Sequence, residues 1–277
     1  DRNFKIQAGF SAKQIDVFAK DEHNIFIIFC TSNKSISLKD EIRIISDLKK
    51  DISLSIKKHY DKSFRISFLL VTRNIIWNET DEKLASEKQI FYWKHDDLEA
   101  YRMLVEQLGH AAKYQMYSIL FQGRKSPEVR DIQVPAMRGG VGREKYYCFL
   151  IRPQELFKIA YVHRREKSNP KEIGSTYQRM INKRRIEKIG EYIDKGNSFQ
   201  NNIIIAFKQK PTFEPNPKVK AVSGISYGIL KSPPFYGCAW IIDGQHRLYG
   251  YSKSKHAATH TLPVVAFESL NVEYQAN

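Results

Sequence analysis

Trp240-Ile241-Ile242-Asp243-Gly244-Gln245-His246-Arg247-Leu248 carries an apolar strand, a glycine turn and the opening of a helix in nine residues. Ala239 to Ile242 reads as the strand, and the helix opens at about Arg247. Gly244 permits a strained turn or a close approach of backbone to a ligand. Amides at the start of the helix, with His246 and Arg247, offer an anion site. Asp243 can cap the helix, pair with Arg247 or hold a metal ion. On the residues alone two readings stay open: a capped turn closed by an Asp243–Arg247 pair, and a turn that binds a ligand.

Working outward, the second half of the chain alternates strands with helices. Val134 to Gly142 reads as a glycine-rich loop, Lys145 to Ile151 and Phe157 to Val162 as strands. Asn182 to Tyr192 is a helix with Ile186, Ile189 and Ile193 on one face and Lys183, Arg184, Arg185 and Lys188 off it. With Arg179, and with Arg164, Arg165 and Lys167 upstream, these cations make either a stripe that tracks a DNA backbone or a solvated helix face. Asn201 to Phe207 is a near-continuous apolar strand, Lys208 to Ser223 a loop with three prolines, and Leu262 to Phe267 the last strand. Tyr146, Tyr147 and Tyr161 lie among basic residues but in strand patterns, which favours packing.

The nine-residue stretch resembles the signature of the DGQHR-domain family, which includes the repressor of DNA phosphorothioation operons and a relative in deazaguanine DNA-modification clusters. That family is similar in turn to the ParB/sulfiredoxin superfamily. A second block agrees: Tyr177-Gln178-Arg179, then the helix to Ile193, then Phe199 and the strand Asn202 to Phe207. Together the blocks cover residues 130–270. The resemblance implies phosphate or nucleotide binding by Asp243, Gly244, Gln245, His246 and Arg247, with a nucleotide triphosphate and Mg²⁺ as the candidate ligand. The basic stripe makes Gln178, Arg179, Lys183, Arg184, Arg185 and Lys188 the candidate DNA contacts. Gln245 stands where sulfiredoxins carry their Cys; without that thiol their phosphoryl-transfer chemistry has no nucleophile. The resemblance also implies further helical sequence after the last strand, so the chain is expected to be truncated at its C-terminus.

Before residue 126 the pattern is β-β-α-β. Ile15 to Ala19 and Ile25 to Cys30 are strands joined by a polar turn, Asp40 to Tyr60 is an amphipathic helix, Phe64 to Thr72 a strand, and Asp97 to Phe121 one or two helices. This part resembles the PD-(D/E)xK nucleases, which hold Mg²⁺ with an Asp on one strand and a Glu-x-Lys on the next. Asp16 fits the first position. Phe29 and Thr31 occupy the places of the Glu and the Lys, so the expectation is a degenerate nuclease fold, with Asp16 a weak metal candidate. Gln115 is similar to a Gln that some such nucleases carry, and Asp21 and Glu22 read as solvated turn charges.

The expected architecture is therefore α/β: a restriction-endonuclease-like domain at 1–125, then a ParB/sulfiredoxin-like α+β domain at 126–277, divided at the turn 123–127. Charge agrees with a polyanionic partner. The formal net charge is +15 over 277 residues, and residues 1–125 hold only 21 Lys+Arg against 17 Asp+Glu. Most of the excess therefore sits in the second half. Cys30, Cys148 and Cys238 have no metal-ligand spacing and read as buried free thiols of a reducing cytoplasm. No apolar run is long enough to cross a bilayer. The chain starts at Asp1, so a preceding segment stays open. The expectation is a cytoplasmic DNA-binding protein of a prokaryotic DNA-modification or phage-defence system, with protein partners from that system. A nucleotide-hydrolysing component is the alternative, and an active nuclease the third reading.

Overall fold

The computed structural model describes residues 2–5, 14–32, 37–60, 63–142, 144–161 and 182–268. It is a mixed α/β structure of two compact units, Asp1–Arg102 and Met103–Asn277. Among the described residues no helix is long and apolar enough to cross a membrane.

The first unit runs β1 (Arg2–Lys5), β2 (Gln14–Lys20), β3 (Asn24–Thr31), α1 (Leu38–His59), β4 (Arg65–Thr72), α2 (Glu79–Glu87) and β5 (Phe91–Trp93), leading into α3 (His95–Leu108). The five strands lie in sequence order. The first three pair antiparallel, and β3, β4 and β5 pair parallel. Asp21 sets the β2–β3 turn, because its carboxylate accepts the amides of His23 (2.9 Å) and Asn24 (2.7 Å). A parallel partner for β3 needs a crossover, and α1 supplies it. Ser37 caps α1 by accepting from the Asp40 amide, and acids in its first turn and bases in its last suit the helix dipole. Its buried stripe, Ile42, Ile45, Leu48, Ile52 and Ile56, belongs to one core with Ile25, Ile27 and Phe29 of β3 and Phe68 and Leu70 of β4.

The second unit continues with α4 (Ala112–Leu120), α5 (Pro127–Arg130), β6 (Gln133–Val141), β7 (Glu144–Ile151), α6 (Pro153–Ile159) and β8 (Ala160–Tyr161). After these come α7 (Lys183–Asp194), β9 (Ile203–Phe207), β10 (Thr212–Pro215), β11 (Ser226–Lys231), β12 (Ala239–Asp243), α8 (Gln245–Gly250) and β13 (Leu262–Phe267). One sheet of eight strands results, in the order β10-β11-β6-β7-β13-β9-β12-β8. Pairing is antiparallel except between β13 and β9 and between β12 and β8. In β7 and β13 burial alternates: Tyr147, Phe149, Ile151, Leu262, Val264 and Ala266 are buried, while the residues between them are not.

Four local expectations are corrected. The glycine-rich stretch is strand β6 as far as Val141, not a loop, and Gly142 turns the chain with φ +59°. Its glycines make room, since a Cβ on Gly139 would come within 3.1 Å of the Tyr146 ring. Residues 157–159 end helix α6 and do not begin a strand; Pro153 opens that helix after an extended Arg152, and among the described residues of the stretch only Ala160 and Tyr161 are strand. The region 208–223 contains β10, which pairs with β11, a strand the sequence pattern does not announce. Cys30 is exposed and Cys148 half-buried; only Cys238 is a buried thiol.

The two compact units divide at residues 102 and 103, within α3. The reason is α4. Its Tyr114 and Tyr117, with Phe121, surround the buried Tyr236 of the second unit. Gln115 is buried too and donates to the Ala160 carbonyl at 3.0 Å, a contact within the second unit.

Candidate functional site

The stretch 240–248 folds as a strand, a bulge, a glycine and a short helix. Along β12 the pairing with β9 slips between Ile241 and Asp243, so Ile242 is the extra residue of a bulge. Gly244 follows with φ +91°, the left-handed region that favours glycine. A Cβ there would also come within 2.6 Å of Ile203 Cδ1. The helix α8 then begins at Gln245, two residues earlier than expected, and no side chain caps it.

This geometry delivers Arg247 to a closed set of acceptors. One guanidinium nitrogen donates to the carbonyls of Asn201 (2.5 Å) and Asn202 (2.9 Å); the other donates to Asp243 Oδ2 at 2.7 Å. The Arg247 side chain is 15% exposed and that of Asp243 66% exposed, so the bond buries the cation more than the carboxylate. Of the three roles open to Asp243, holding Arg247 is the one observed. The pair locks the turn after β12 onto the entrance of β9. Gln245 and His246 lie at the start of α8, and His246 Nε2 accepts from the backbone amide of Asn182 at 3.3 Å.

That last bond joins the two sequence blocks. Asn182 is the N-cap of α7, its side chain accepting from the Arg185 amide at 3.1 Å. The helix presses on α8 through a glycine pair. A Cβ on Gly190 would meet Lys253 Cβ at 2.9 Å, and one on Gly250 would overlap the Ile189 side chain. At the far end, Ser254 donates to Asp194 Oδ1 at 2.6 Å, which holds the Asp194 carboxyl below its ordinary range. Ile186, Gly190 and Ile193 face inward, while Lys183, Arg184, Arg185 and Lys188 are exposed. The first turn of α7 contains no acid, so three cations stand where the helix dipole is positive. Gln178 and Arg179, like Arg164, Arg165 and Lys167, lie outside the described residues.

The nuclease-like positions are arranged differently. Asp16 Oδ2 accepts the amide of Cys30 on the neighbouring strand at 2.7 Å. Phe29 is 2% exposed and belongs to the core under α1. Among the described residues no three His, Cys, Asp or Glu side chains are grouped to hold a metal ion.

Sequence reasoning offered Asp243 as a partner of Arg247 but missed the two other acceptors. Backbone carbonyls at Asn201 and Asn202 have no residue signature, so only the fold reveals them. Asn182 was legible, since an Asn just before a helical run is a cap signal.

The family model for DndB, described as DNA-sulfur modification-associated, matches residues 134–275, from β6 to beyond β13. That stretch contains every element of the site, α7 included. No curated protein matches the chain.

Proposed function

The chain belongs to the DndB family, described as DNA-sulfur modification-associated, and from that premise we propose that it is a DNA-associated binding protein of a prokaryotic DNA-modification or phage-defence system. The observation that carries the reading is α7. Lys183, Arg184 and Arg185 are exposed in the first turn of a helix whose dipole disfavours them there, and Lys188 is exposed one turn further on. A phosphate at this end meets both the cations and the helix amides, and so relieves the mismatch. The overall charge of +15 supports the same partner.

In this reading Asp243, Gly244, His246 and Arg247 form a bracket that positions α7 and do not themselves touch DNA. Anisotropy of a labelled duplex tests it. Replacing Arg184 and Arg185 together by Ala should weaken binding at least about tenfold, the equivalent of ~1.4 kcal/mol. Equal affinity of variant and parent, or no binding by either, contradicts it.

A second reading keeps a nucleotide triphosphate and Mg²⁺ at residues 243–247, in a nucleotide-hydrolysing component that assists a DNA-modifying partner. Gly244 and the start of α8 favour it. Against it, Arg247 is committed to three protein acceptors. Phosphate release that Arg247→Ala abolishes would revive it, whereas equal rates in both proteins remove it. For the first unit we propose a degenerate nuclease fold that serves DNA or protein contacts. The sequence-ordered five-strand sheet and the Asp16 position support the likeness, and Phe29 in the core speaks against catalysis.

A further inference from the structure

A second basic site lies in the same unit, away from the Arg247 bracket. The C-terminal end of β13 meets the β6–β7 hairpin and the start of β10 around a cavity of about 370 Å³. Arg138, Lys145, Tyr147, Lys210, Phe213 and Glu268 line it. Both oxygens of the Glu268 carboxylate are engaged. Lys210 Nζ lies 2.7 Å from Oε1, and the buried Tyr147 hydroxyl donates to Oε2 at 3.3 Å. The Glu268 amide also donates to the Lys145 carbonyl at 2.9 Å, which fixes this wall to β7. Burial first, and then the nearby carboxylate, push the Tyr147 hydroxyl up to about 12, so it remains a donor at neutral pH.

Three cations and one carboxylate therefore line the cavity, and that carboxylate is paired with Lys210. Among the described residues neither Arg138 nor Lys145 forms an ion pair. Arg138 is not loose: its guanidinium carbon sits 4.7 Å from the centre of the Phe213 ring, a cation–π contact that anchors the group. Its charge also reaches Tyr147, where it opposes the upward shift of the hydroxyl. A guanidinium anchored on an aromatic ring, lining the same cavity as an exposed ammonium, is an arrangement that recognises an oxyanion through charge-assisted hydrogen bonds.

We propose that this cavity binds a small phosphate monoester through its phosphate group, held by Arg138 and Lys145. Charge selects the class. The lining carries two positive charges in excess, and a phosphate monoester carries about −1.5 to −2 at pH 7. Size agrees, since the cavity falls within the roughly 300–1,000 Å³ range of small-molecule sites and leaves space beside the phosphate for an organic part. The site is independent of the DNA contacts assigned to α7.

Calorimetric titration of the full chain at fixed ionic strength tests it, with inorganic phosphate, adenosine monophosphate, glucose 6-phosphate and unphosphorylated adenosine as probes. At least one phosphate probe should bind with unit stoichiometry, and adenosine should not. Arg138→Gln and Lys145→Gln should each weaken that binding by about tenfold, while Lys83→Gln, at an exposed lysine of the first unit, leaves it unchanged. Lys145 is exposed, so its variant keeps the fold even where the Arg138 variant does not. Failure of every phosphate probe to bind, adenosine binding as well as its monophosphate, or a Lys145 variant that binds like the parent overturns the proposal.

Discussion

Arg247 is the residue on which the second unit turns. Its guanidinium gathers a carboxylate from the end of β12 and two carbonyls from the entrance of β9, and it does so at 15% exposure. Truncation to Ala strands those carbonyls and removes the guanidinium that holds the Asp243 carboxylate. The expected loss is about 1–3 kcal/mol of stability, the range for a charge-assisted bond whose partners are left behind. Urea denaturation measures it. Arg247→Lys should recover only part, because an ammonium cannot spread over three acceptors as a planar fork does. A variant as stable as the parent would mean that the bracket is ornamental. Gly244 is the matching constraint on the backbone: its φ of +91° and the closeness of Ile203 both oppose a side chain.

At the scale of elements, the contact between α7 and α8 depends on two glycines. A methyl group at Gly250 would overlap Ile189, which cannot move without shifting α7. Gly250→Ala should therefore destabilise by about 1–3 kcal/mol, the cost of overpacking a tight contact. It should also weaken DNA binding beyond what the lost stability explains, since the cations ride on the displaced helix. Thermal melting and duplex titration of the same variant separate the two effects. An unchanged melting temperature contradicts the close approach.

The elements also show what could be read in advance. The strands β2, β3, β4, β7 and β13 and the helices α1 and α7 carry strong periodicity, and each stands close to where the pattern puts it. The failures share a cause. Glycines in β6 serve a tertiary contact with Tyr146 rather than a turn, and a short apolar run at 157–159 fits helix or strand equally until Pro153 is weighed. Strands β10 and β11 are stabilised by pairing with each other and with β6, and such pairing leaves little trace in local sequence. For the site, the stretch 243–247 was legible as a turn, and its bond from His246 to the cap of α7 was not. That bond joins residues 64 apart in the chain.

For the molecule as a whole, the DndB family assignment and the charge point the same way, toward DNA in the setting of sulfur modification. The central claim is that phosphates lie along α7. Its most direct test is the salt dependence of duplex binding by the parent and by a variant in which Lys183, Arg184, Arg185 and Lys188 are all Ala. Each phosphate contact contributes about 0.9 to the slope of log affinity against log salt. If the four cations meet phosphates, the variant's slope should be shallower by roughly 2 to 4, with melting temperature nearly unchanged because these side chains are exposed. Parallel salt lines for the two proteins would place the DNA elsewhere and contradict the account.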